Sequence, residues 1–190
     1  MKLILSKIKT YFGKLDKLLL FMCMGIACFA VFIQYTLYEN DISSAVTASQ
    51  YKTQIIAFIA GIVIAMALAA INYKYLAKLW FIYVPLAMGL TLLLFTPLGI
   101  QREGADDIGW LDLGIMTIQP SEILKLAFIL SLAVHLSKVE DRMNEPIHFI
   151  LLCIHGAIPT LLIRQTGDDG SALVFLFIFI CMMFAAGLSW

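Results

Sequence analysis

The chain has 190 residues, 62% of them hydrophobic and 14% charged, with thirteen basic side chains against thirteen acidic ones. A soluble domain carries about 25% charged residues, so the composition excludes an ordinary globular domain and indicates an integral membrane protein. Zero formal charge leaves no bulk electrostatic case for nucleic-acid binding.

Residues 1–17 are a basic lead-in carrying Lys2, Lys7, Lys9, Lys14 and Lys17. No small-residue cleavage site follows the first apolar run, so this is not a secretory signal. It reads as a segment lying on the cytoplasmic membrane surface, held by anionic headgroups. Residues 18–190 then carry six apolar stretches: Leu18–Tyr38, Thr53–Ile71, Leu76–Phe95, Pro120–Leu136, Pro146–Ile163 and Ser171–Leu188. Each is close to the roughly 17–25 residues that cross the hydrocarbon as a helix. Irregular backbone does not cross exposed to lipid, and the alternation of a membrane β-barrel is missing. The fold class is therefore all-α, a polytopic bundle of about six transmembrane helices.

Orientation follows from the basic residues. With the N-terminus cytoplasmic, the inner segments hold Lys2, Lys7, Lys9, Lys14, Lys17, Lys74, Lys78, Lys138 and Arg142, and the outer ones hold Lys52, Arg102 and Arg164. Nine against three satisfies the positive-inside rule. Most acids fall outside, among them Glu39, Asp41, Glu103, Asp106, Asp107, Asp112, Asp168 and Asp169.

In the second stretch Ala57, Gly61, Ala65 and Ala69 form a small-residue ridge at spacing four, which is expected to let another helix approach closely. Pro85 and Pro159 sit inside the third and fifth stretches and are expected to kink them. Trp80 reads as an inner belt residue. The longest outer loop, about Pro97 to Ile118, is acidic at Asp106 and Asp107 and then amphipathic from Ile108 to Gly114. This predicts a loop folded back on the membrane surface. Cys23, Cys28, Cys153 and Cys181 lie in apolar stretches and read as packing residues. His135, His148 and His155 have no partner at helical spacing, so a hydrogen-bonded packing role is expected. The chain ends at Trp190 with no basic tail, which reads as a cut.

Two constellations carry chemistry. In Gln119-Pro120-Ser121-Glu122-Ile123-Leu124-Lys125, Pro120 suits the first helical position and Glu122 favours the positive end of the helix dipole. Lys125 falls three residues on, on the same face. The bland reading is a dipole-stabilised helix start with Lys125 snorkelling outward. The functional one is a charged pair at the outer face of a membrane site. In Arg164-Gln165-Thr166-Gly167-Asp168-Asp169-Gly170-Ser171 the expected chemistry is a tight turn with Asp169 or Ser171 as the helix cap. Neither constellation has metal-ligand spacing. No P-loop, zinc-protease or nucleophile-elbow motif occurs.

Three stretches, in order, resemble the SEDS family of RodA, FtsW and SpoVE. Gly109-Trp110-Leu111-Asp112-Leu113-Gly114 is similar to its R-W-I-x-L-G, Gln119 through Ala127 to its Q-P-S-E-x-x-K-L-A, and Gln165 through Leu173 to its Q-P-D-L-G-T-A-L, running on into Phe184-Ala185-Ala186-Gly187-Leu188. The chain departs from the pattern at Gly109, where the family has Arg, so a cation is expected to be missing beside Trp110. It departs again at Thr166-Gly167. Counting back from Gly170, Asp168 matches the family's Asp, with Asp169 one residue away.

The resemblance implies a membrane glycosyltransferase that polymerises lipid II at the outer face of the bacterial cytoplasmic membrane, in elongation, division or sporulation. It implies a class B penicillin-binding transpeptidase as partner. About ten helices are expected in that fold, so this chain corresponds to the N-terminal six and is inactive alone. The acid the family uses for catalysis falls in its second half, and no residue here is assigned a catalytic role. The implied substrate-binding residues are Trp110, Gln119, Glu122, Lys125 and Asp168. No cofactor site is read from the sequence, and a divalent cation is left open. Two rivals remain: a lipid-linked precursor transporter, and a non-catalytic membrane partner of a transpeptidase.

Overall fold

The computed structural model describes residues 16–40, 47–71, 73–102, 104–114 and 117–188. The first fifteen residues of the basic lead-in lie outside the described residues, as do Asp41, Glu103 and Trp190. The chain divides into two compact units, Met1–Asn72 and Tyr73–Trp190.

The first unit holds two long helices, α1 (Lys17–Glu39) and α2 (Ala48–Ala70). Each start is fixed by a side chain that satisfies an orphan backbone donor. Asp16 accepts from the Leu19 amide at 3.0 Å, and Thr47 and Gln50 close a reciprocal capping box. At the outer end, Tyr51 lies against Tyr35 and Tyr38, with ring centroids 5.8 and 6.2 Å apart, which suits amphipathic rings at a headgroup level. The close approach expected at the small-residue ridge does not occur against α1. Ala57, Gly61 and Ala65 line a groove of about 300 Å³ shared with Leu20, Met24 and Phe58, and a Cβ added at Gly61 would meet nothing within 4 Å.

The second unit contains α3 (Tyr73–Lys78), α4 (Trp80–Leu92), α5 (Pro120–Lys138), α6 (Pro146–Gln165) and α7 (Asp169–Ala185). The third apolar stretch of the sequence is thus divided at Leu79 and ends in a 3-10 turn, Leu93–Phe95. Helices α4 and α6 run on through Pro85 and Pro159. Among the described residues four helices are long and apolar enough to cross a membrane, with Trp80–Phe95 and Asp169–Ala185 shorter but apolar. This is the all-helical membrane architecture the hydropathy predicts.

Helix α5 is the centre of the unit. Its Leu124, Ala127, Phe128 and Leu132 are buried against Ala87 of α4, Leu152 of α6 and Phe175 of α7. The Phe128 and Phe175 rings are 5.6 Å apart, within the range where tilted aromatic pairs attract. Gly156 lets α7 approach α6, since a Cβ there would sit 2.5 Å from the Phe179 ring. Thr91 and Thr160 donate to the carbonyls of Ala87 and Gly156, four residues earlier, so their hydroxyls are satisfied within their own helices.

The outer loop forms a small antiparallel sheet, β1 (Gly99–Ile100), β2 (Trp110–Asp112) and β3 (Thr117–Ile118), in that order. Leu111 is fully buried, while Trp110 is half-buried and Asp112 exposed, the period-two pattern of a strand with one face on the core. The predicted amphipathic loop is therefore a sheet folded onto the bundle end. A Cβ at Gly99 would collide with the Leu94 carbonyl oxygen, so the chain turns into β1 only with glycine there.

Candidate functional site at the outer face

The sheet assembles the first part of the site. Ile100 pairs with Trp110, and Leu111 with Ile118; the same register sets Trp110 across from Gln119. Two residues beyond β1, Arg102 lays its guanidinium over the Trp110 ring, with Cζ 3.4 Å from the centroid, a stacked cation–π arrangement. This corrects the expectation from Gly109: Trp110 keeps a cation, delivered across the hairpin by Arg102. At position 109 itself a Cβ would collide with the Asp107 carboxylate. Sequence reasoning placed Arg102 only in an orientation count, because the pairing spans eight residues and depends on a strand register.

Helix α5 supplies the second part. Gln119 takes an extended conformation at the N-cap without a side-chain cap bond, and Pro120 occupies the first turn. One turn in, the Lys125 ammonium donates to Glu122 Oε1 at 2.6 Å. The Lys125 side chain is 18% exposed and that of Glu122 60%, so the ammonium is held close to the protein with the carboxylate outermost. Beside them Ser121 Oγ is buried and lacks a hydrogen-bond partner among the described residues; Ser121 stood in the motif, but its burial was not visible in the sequence.

The third part is the turn between α6 and α7. The Ile108 amide donates to the Thr166 carbonyl at 2.9 Å, and Gly167, at φ +88°, lies against the Asp107 backbone. Positive φ is a glycine conformation, which accounts for Thr-Gly in place of Pro. The expected cap is corrected here. Asp168 caps α7, its Oδ1 accepting from the Ser171 amide at 2.7 Å, whereas Asp169 is in the first turn and faces Arg164 at 3.6 Å. Asp168 leads into Ser171 with the spacing a cap needs, and Asp169 is one residue too late.

The five predicted residues thus fall at one end of the unit. Trp110 and Gln119 are brought together by β2 and β3, and Glu122 and Lys125 by α5. Asp168 is tied to the loop through the Thr166–Ile108 bond, with one carboxylate oxygen engaged in capping. Among the described residues no three His, Cys, Asp or Glu side chains converge as metal ligands would. The arrangement offers two cations and an aromatic face, groups that suit a phosphorylated, sugar-bearing ligand at headgroup depth.

A second polar cluster lies deeper, between α5 and α6. Ser131 Oγ donates to the Phe128 carbonyl at 3.1 Å and lies 3.0 Å from His155 Nε2. The Nδ1 atoms of His155 and His135 are 3.1 Å apart. Donor and acceptor roles along this chain follow from the imidazole tautomers. Each histidine is engaged at Nδ1 by the other, and Nε2 of His135 has no hydrogen-bond partner among the described residues. The two histidines, 20 residues apart, therefore have partners that helical spacing could not reveal, while His148 faces Glu145 at 3.5 Å.

Comparison with known proteins identifies the family and the fold. The FtsW/RodA/SpoVE family, described as a cell cycle protein, matches residues 14–190. A probable peptidoglycan glycosyltransferase FtsW from Geobacter sp. (strain M18) is 32% identical over 185 residues, covering 90% of this chain and 47% of that protein. The crystal structure of the Thermus thermophilus rod shape determining protein RodA superposes with a TM-score of 0.67 at 25% identity, over 86% of this chain and 54% of that one. A chain from a peptidoglycan synthase complex, studied for its coordination of polymerization and crosslinking, shares the fold with a TM-score of 0.73 at 24% identity, over 90% of this chain and 48% of that one. The chain spans about half the length of the curated relatives it matches.

Proposed function

The chain belongs to the FtsW/RodA/SpoVE family of multi-pass membrane proteins, and from that premise we propose that it is the N-terminal portion of a peptidoglycan glycosyltransferase that polymerises lipid II. Its place is the bacterial cytoplasmic membrane, and its site opens on the outer face. The observation that carries this reading is the assembly of the three family-like motifs at one end of the bundle, with Arg102 stacked on Trp110 and Lys125 held by Glu122. Lipid II presents a pyrophosphate and sugars at that depth. Arg102 and Lys125 face the pyrophosphate as cations, Trp110 packs on a sugar ring or the first isoprene units, and Gln119 and Glu122 orient hydroxyls. No residue of this chain is assigned the proton transfer, so these groups bind and position, and the 190 residues alone form no glycan. The partner proposed is a class B penicillin-binding transpeptidase, in keeping with the complex whose chain shares this fold.

Binding of fluorescent lipid II to the nanodisc-reconstituted chain tests the reading. Saturable binding is expected, weakened by Lys125→Ala and unaffected by Glu140→Ala at the opposite end. Equal affinities for wild type and Lys125→Ala would defeat it.

A further inference from the structure

Two cavities in the second unit have Ser131 and His155 in common among their lining residues and lie next to one another along the seam of α4, α5 and α6. One, about 230 Å³, is lined by Trp80, Ser131, Val134, His135, Lys138 and His155. The other, about 340 Å³, is apolar apart from Ser131 and His155, its walls including Val84, Met88, Leu124, Phe128, Ile154 and Ile158. All three helices give the same depth order. Along α4, Trp80 precedes Val84 and Met88 going outward. Along α5, Lys138 and His135 are innermost and Leu124 outermost. Along α6, His155 lies inward of Ile158. The seam therefore has a polar, cationic end at the inner headgroup level and an apolar end at the depth of acyl chains.

The polar end is incomplete without a ligand. The Lys138 ammonium sits 5.8 Å from the Trp80 ring centroid, and no carboxylate pairs with it among the described residues. His135 Nε2 has no hydrogen-bond partner among those residues. Part of Lys138's role is to offset the dipole at the end of α5, but an unpaired ammonium beside an open cavity still attracts an anion.

We propose that this seam is a binding site for one anionic phospholipid of the inner leaflet, phosphate on Lys138, a headgroup hydroxyl hydrogen-bonded to His135 Nε2, and an acyl chain in the apolar cavity. It lies at the other end of the bundle from the lipid II site and does not depend on that assignment. A zwitterionic lipid brings its own cation to the phosphate and competes poorly.

The test uses Trp80 as reporter, in the chain carrying Trp110→Phe and Trp190→Phe, reconstituted in phosphatidylcholine vesicles. Brominated phosphatidylglycerol and brominated phosphatidylcholine are compared as quenchers at equal mole fraction. About a fivefold preference for phosphatidylglycerol is expected, the equivalent of roughly 1 kcal/mol for one lysine at an anionic surface. Lys138→Gln should remove the preference and Lys138→Arg retain it, with helix content unchanged by circular dichroism. Equal quenching by the two lipids, or a preference surviving in Lys138→Gln, would overturn the proposal. Reversal of the quenching by inorganic phosphate would assign the site to free phosphate and overturn the lipid reading.

Discussion

At the scale of single residues, the stack of Arg102 on Trp110 is the strongest new contact at the outer face. It is open to solvent, so its worth to folding is small, about 0.5–1 kcal/mol. Its effect is expected on ligand affinity: Arg102→Ala should weaken lipid II binding about two- to fivefold, with Arg102→Lys intermediate because charge remains while the flat stack is lost. Isothermal titration with a water-soluble lipid II analogue reads both. Asp168 separates two roles. If it serves as a cap, Asp168→Ala lowers unfolding stability by about 1 kcal/mol and Asp168→Ser restores it. Loss of lipid II binding in the well-capped Asp168→Ser would show a direct ligand role for the carboxylate. Glu122 and Lys125 were legible as a pair because their spacing is fixed by the helix. The stacking of Arg102 was not, since it depends on a strand register, and Ser121, though part of the motif, did not show its burial.

At the scale of elements, the helices were legible from hydropathy because the membrane demands long apolar runs and tolerates no irregular backbone. The sheet was not, since strands of two or three residues are too short to show a period, and only the alternation around Trp110 hinted at one. The contact of α6 with α7 also escaped the sequence. Gly156 gave no signal, yet a side chain there meets the Phe179 ring. Gly156→Leu should destabilise the helix pair by about 1–3 kcal/mol through overpacking, and Phe179→Ala should relieve much of that loss. Thermal unfolding in detergent of the two single variants and the double variant measures the coupling. Gly61→Leu, facing the open groove on α2, should be tolerated in the same assay.

At the scale of the whole molecule, charge asymmetry set the expected orientation, and the proposal of a lipid II site at one end follows from it. The outer end gathers Arg102, Trp110, Gln119, Glu122, Lys125 and the Asp168 turn through three separate devices: a hairpin, a helix start, and a backbone bond from Ile108 to Thr166. Motifs far apart in sequence are joined there by helix packing and by that last bond, which no spacing rule announces. Family membership is what links these motifs to the lipid II site proposed above. Photo-crosslinking tests the central claim most directly. p-Benzoylphenylalanine is placed at Leu113, exposed beside the Trp110 strand, or at Glu140, beyond the inner end of α5, and the reconstituted protein is irradiated with labelled lipid II. The account predicts an adduct at position 113 that unlabelled lipid II competes away, and none at position 140; adducts confined to position 140, or equal at both, would contradict it.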